Sequence, residues 1–215
     1  MIDEWRGWWL LRSDHTLWRG LEPILDRSSS TGCTFHELAT LYQHVVTYRP
    51  TEILELGAGI STIVLGYAAK QICDGGGACH LTSLEESEFY YNDLLTIVPH
   101  EILQYVDIIL SPVEDRDAGD GRIGRHYIGL PKHRYDLVFV DGPQVPEAKR
   151  DPRYFDSDLL DTLRWNDDAF VAYVDGRQTT RDNLQRLMPW ADFTYNKHHR
   201  FTRIQIPAEN ERAAA

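Results

Sequence analysis

Cysteine is scarce: Cys33, Cys73 and Cys79 are an odd count with no CxxC pair. Neither a disulfide framework nor a zinc knuckle follows from them, and reduced thiols in the cytoplasm are the simplest expectation. Long apolar runs are missing as well. No stretch approaches the roughly 18 uninterrupted apolar residues of a membrane-spanning helix, so no membrane partner is expected. Positive charge is in deficit, with 22 Lys and Arg against 33 Asp and Glu, a formal net charge of -11. Such a chain repels phosphate backbones, which disfavours broad nucleic-acid binding. Asp3, Glu4 and Arg6 lie among tryptophans near the start, unlike the layout of a signal peptide. Fifteen glycines and ten prolines in 215 residues are too few for collagen or a low-complexity chain.

What is present fits one globular domain with a short appendage. Residues 1–31 stand apart, because Trp5, Trp8, Trp9 and Trp18 are four of the six tryptophans. The first three have i, i+3, i+4 spacing and can share one helix face, either packed on the core or closing over a ligand. Residues 32–215 form the expected main domain, after a linker around Ser28 to Gly32.

From Thr34 the punctuation is regular. Thr34 and Glu37 make a capping box, and Phe35, Leu38, Leu41, Tyr42 and Val45 repeat at helical spacing until Pro50. Apolar runs predict strands over 52–56, 79–84, 105–110, 135–140 and 169–174. Helices are predicted over 60–72, 87–98 and 179–187, and another begins with Pro152 at its first position and carries Phe155, Leu159, Leu160 and Leu163. Residues 111–134 read as a polar, Gly-rich loop, in which Asp115, Asp117 and Asp120 lack the spacing of a calcium loop. Residues 193–195 and 201–206 alternate like an antiparallel pair around His198-His199. The pattern predicts a doubly wound α/β domain, mostly parallel and covered by helices on both faces.

Ligands of such sheets bind beyond the carboxyl ends of the strands. Those ends hold Glu55 to Gly59, Glu85, Ser111 to Glu114, Asp141-Gly142-Pro143 and Asp175-Gly176. Gly57-Ala58-Gly59 lets backbone approach a ligand at a helix start. A dinucleotide fingerprint would have a third glycine where Thr62 stands, and Glu85 comes late for it. Glu55 beside the turn favours a cationic moiety, such as an ammonium or sulfonium. Arg122, Arg125, His126, Lys132, His133, Arg134, Arg150 and Arg153 make one region locally basic, which is either charge balance or a site for an anionic acceptor.

The runs ILELGAGISTIVL, TSLEE and YDLVFVDGP, followed by the closing hairpin, resemble the class I S-adenosylmethionine-dependent methyltransferases over about residues 34–206. That resemblance implies a seven-stranded sheet with an antiparallel C-terminal hairpin, S-adenosyl-L-methionine as cofactor and a small-molecule acceptor. It implies that Glu55, Gly57, Ala58, Gly59, Ser61, Thr62 and Asp141 surround the methionine part, and that Glu85 takes the ribose hydroxyls. Adenine would fall to Val113 or Glu114, since Pro112 replaces the usual acid. Asp141 is the expected base or orienting group, with His126 and His133 in reserve. Asp141 and Asp175 also stand where catechol-type relatives hold a divalent metal, but Gly176 replaces the amide ligand and a metal is not favoured. The rivals are an NAD(P)-dependent oxidoreductase, an aminopropyl-type transferase and a non-catalytic cofactor-binding subunit. A homodimer stays open.

Overall fold

The computed structural model describes residues 2–28, 32–145, 151–197 and 201–212. The His198-His199 turn, Arg150 and the centre of the 28–32 linker lie outside them. Two helices come first, α1 (Ile2–Ser13) and α2 (His15–Leu25), and Asp14 caps the second by accepting from the Thr16 and Leu17 amides. The predicted capping box opens α3 (Phe35–Tyr48). It closes at Arg49, which takes a left-handed φ of 53°.

Then β1 (Glu52–Leu56), α4 (Ile60–Asp74), β2 (His80–Glu85), α5 (Glu88–Ile97) and β3 (Val106–Leu110) alternate as the sequence predicts. Two antiparallel strands follow, β4 (Val113–Gly119) and β5 (Arg122–Tyr127), then β6 (Leu137–Val140). After β7 (Tyr154–Asp156) come α6 (Asp158–Thr162), β8 (Phe170–Val174), α7 (Gln178–Leu187), β9 (Asp192–Asn196), β10 (Phe201–Ile206) and α8 (Glu209–Arg212).

The main sheet runs β3-β2-β1-β6-β8-β10-β9. Its first five strands are parallel, and β10 returns antiparallel between β8 and β9. The apolar runs are what make those five strands central, since both faces of a covered parallel sheet are buried. Alternation then splits each strand between two cores. Ile53, Leu137 and Phe139 face α1 to α5, whereas Leu54, Val138 and Val140 face Tyr127, Phe155, Leu159 and Leu184.

Two expectations are corrected. Residues 113–127 are a hairpin, which pairs with β7 in a small sheet ordered β4-β5-β7. This sheet, with α6 and α7, covers the second face of the main sheet. The helix expected to begin at Pro152 is instead β7 followed by the short α6, because Phe155 and Leu159 bury from an extended and then a helical stretch. At the N-terminus, Leu11, Leu17, Leu21 and Ile24 are buried in the same core as α3 and α4. Trp8 packs on that core edge-on to Trp18, while Trp5 and Trp9 stay exposed.

Candidate functional site

A cleft opens at the carboxyl ends of β1, β2 and β6. It is lined by Gly57, Ala58, Gly59, Glu85, Asp141 and Gly142, and by Tyr90, Leu94 and Ile97 of α5. The turn after β1 is pinned from both sides: the Gly57 and Ala58 amides donate to the Leu84 carbonyl at 2.9 and 3.0 Å. Gly57 has φ +95°, and a Cβ there would stand 2.7 Å from the Asp141 carbonyl. Glycine is therefore needed at 57 both for its left-handed backbone and for the packing of the β1 turn on the β6 turn.

Glu55 does not line the cleft; it lies fully buried beneath the turn. Its carboxylate accepts from Thr62 Oγ1 at 2.5 Å and Ser83 Oγ at 2.6 Å. Thr62 Oγ1 in turn accepts from the Gly59 amide at 2.9 Å. Ser61 and Thr62 are likewise buried, under the turn rather than in the cleft. Burial pushes Glu55 up to about 7 against the pull of the Ser61, Ser83 and Thr62 hydroxyls, and the charge of Glu85 adds to the rise. The Thr62 hydroxyl thus already takes the Gly59 amide at the start of α4, one of the groups a phosphate would otherwise meet.

Glu85 does reach the cleft. Its Oε1 accepts from the Ser87 amide at 2.8 Å, and burial pushes it up to about 7. The neighbouring Glu86 ties two walls together, accepting from Tyr127 Oη at 2.7 Å and from the Gln144 amide at 2.7 Å.

On the far wall, Asp141 meets Asp175 and Arg177, the residue two beyond Asp175. The Arg177 guanidinium stands 3.4 Å from Asp141, 3.1 Å from Asp175 and 3.5 Å from Asp156. It also donates to the Asp141 and Pro143 carbonyls. Burial raises both Asp141 and Asp175, and the charge of Asp141 lifts Asp175 well above the usual carboxylate range. Asp175 is the member of the pair that is raised further. Cys33 Sγ lies 3.6 Å from Asp141, and burial pushes that thiol up. No group of three or more His, Cys, Asp or Glu side chains suited to a metal occurs among the described residues. The cation between Asp141 and Asp175 is Arg177.

Several expected site residues lie elsewhere. His126 points away from the cleft, 3.2 Å from Glu114, because Tyr127 beside it takes the inward position on β5. His133 pairs with Glu52 at 3.4 Å, at the opposite end of β1, so neither histidine can serve a reaction at Asp141. Val113 packs in the second core and Glu114 is exposed, and neither lines the cleft. The α5 side chains at 90, 94 and 97 stand there instead.

Among the described residues of 122–153, the arginines are spent on neighbouring acids. Arg122 binds Asp120 and Asn183, Arg125 binds Asp115, Arg134 binds Asp167 and Asp168, and Arg153 binds Asp151. None of these arginines borders the cleft. Beyond Arg177 and Gln144 a second cavity of about 570 Å³ opens towards β7 and the start of α7.

No family model matches the chain, and no curated protein is similar to it. Solved structures are. Precorrin-6y C5,15-methyltransferase from Geobacter metallireducens superposes with a TM-score of 0.50 at 12% identity, covering 81% of this chain and 89% of that one. The N-terminal domain of human METTL16, in complex with SAH, gives 0.49 at 10% identity and covers 83% and 72%. The chain has the methyltransferase fold. At these identities the likeness is one of fold alone.

Proposed function

We propose that the chain is an S-adenosylmethionine-dependent methyltransferase acting on a small molecule. The observation that carries this reading is the floor of the β1 turn. Beneath Gly57-Ala58-Gly59 lies a buried carboxyl, and the Gly59 amide is already taken by Thr62. That floor offers a pyrophosphate no free Gly59 amide and sets a carboxyl beneath the turn, which favours the ammonium and sulfonium of S-adenosylmethionine and argues against the oxidoreductase rival. The residues fit the rest of the cofactor: Glu85 would take two ribose hydroxyls, and Leu94 and Ile97 would offer apolar surface to adenine. When bound, the cofactor supplies a methyl group activated by the positive sulfur.

The chain's own part is to position and to exclude water, with a base needed only if the acceptor must lose a proton. Asp141 is the group for that task. Arg177, Asp175 and Cys33 hold its carboxylate at the cleft wall, and burial brings its basicity closer to neutral than that of a free carboxylate. The second cavity, of metabolite size, supports a small acceptor rather than a polymer. Mass spectrometry of small molecules released from purified protein should find a thioether or sulfonium nucleoside. A nicotinamide dinucleotide there would overturn the reading.

A further inference from the structure

The chemical character of the acceptor is legible in the second cavity. Its wall is formed by Gln144, Asp151, Tyr154, Asp156, Arg177 and Thr179, among others. It adjoins the first cleft at Gln144 and Arg177, which line both. Asp156 closes β7 and has no solvent exposure. Its Oδ2 accepts from Thr180 Oγ1 at 2.8 Å, while its Oδ1 is buried with no hydrogen-bond partner. An unmatched carboxylate oxygen in such a place is costly unless a ligand donor completes it.

The charge around it has one sign in excess. Arg177 is the single cation on this wall among the described residues, and it is shared by Asp141, Asp156 and Asp175. One guanidinium facing three acids leaves this wall with acid in excess. Among the described residues, Arg122, Arg125, Arg134 and Arg153, which could have drawn an anionic acceptor, are paired with neighbouring acids. We propose that this cavity binds an amine-bearing, cationic small molecule, with its ammonium donating to Asp156 Oδ1. Naming that molecule the methyl acceptor rests on the methyltransferase reading; the cavity's preference for a cation does not.

The test uses a matched pair of probes on one aromatic scaffold, tyramine and 3-(4-hydroxyphenyl)propionate, titrated calorimetrically into the full chain. Tyramine should bind at least about tenfold tighter than the carboxylate, the scale of one hydrogen bond to a charged group. Asp156→Asn keeps an acceptor for Thr180 and should lose roughly ten- to hundredfold for tyramine. Thr179→Lys, at an exposed position of the same wall, should suppress tyramine binding without touching the core. Binding of neither probe, equal binding of both, tighter binding of the carboxylate, or a tyramine preference that survives Thr179→Lys would each overturn the proposal. A parallel titration with S-adenosylhomocysteine separates the two readings. Loss of that binding beside an intact tyramine preference would remove the methyltransferase assignment and leave the cation cavity standing.

Discussion

Glu85 is a carboxyl whose ordinary value of 4.5 is pushed up to about 7 by burial at the cleft edge. In the proposed function it accepts from two ribose hydroxyls, and it does so most strongly when ionised. Affinity for a nucleoside ligand should therefore hold above pH 8 and weaken as pH falls through 7. Calorimetric titrations with S-adenosylhomocysteine at pH 6 and 8 read this directly, and Glu85→Gln should flatten the difference while losing roughly ten- to hundredfold in affinity at pH 8. Gly57 behaves differently from what its motif alone suggests. A side chain there drives into the Asp141 backbone rather than into ligand space, so Gly57→Val damages the packing of two turns as well as the cleft. Spacing made Gly57, Gly59 and Glu85 visible in the sequence. Arg177 and Asp156 were not, because each matters through partners far away in the chain.

Among the elements, the parallel strands were legible because each is an uninterrupted apolar run between turn residues. The β4–β5 hairpin was not. Its residues alternate charges that meet only across the strands, Asp115 with Arg125 and Glu114 with His126. The signal that could have found it is Gly119-Asp120-Gly121, a turn with three residues at positive φ. The N-terminal helices make a sharper test of packing against closure. Leu21 is fully buried against the core, whereas Trp5 is 61% exposed. Leu21→Ala should cost about 2–5 kcal/mol in denaturant unfolding. Trp5→Ala should stay within about 0.5 kcal/mol. Equal effects of the two variants would mean that the first helices are not held as described.

At the scale of the whole molecule, buried acids set the response to pH. Glu55 and Glu85 rise to about 7 and Asp156 to about 6, each above its unfolded value of 4.5 or 3.8. A carboxyl with a raised folded value contributes stability that is full below the unfolded value and is lost as pH climbs through the folded one. The melting temperature should fall between pH 5 and 8, by roughly 5–10 °C if these groups together forfeit a few kcal/mol. Glu55→Gln should make that profile flatter, and a melting temperature that rises over the same range would contradict the burial of these acids. In the proposed function this cleft holds a sulfonium nucleoside over a turn that rejects pyrophosphate. Calorimetric titration of the purified chain with S-adenosylhomocysteine and, separately, with NADH tests it most directly. S-adenosylhomocysteine should bind saturably and NADH not at all; the reverse order would overturn the proposed function.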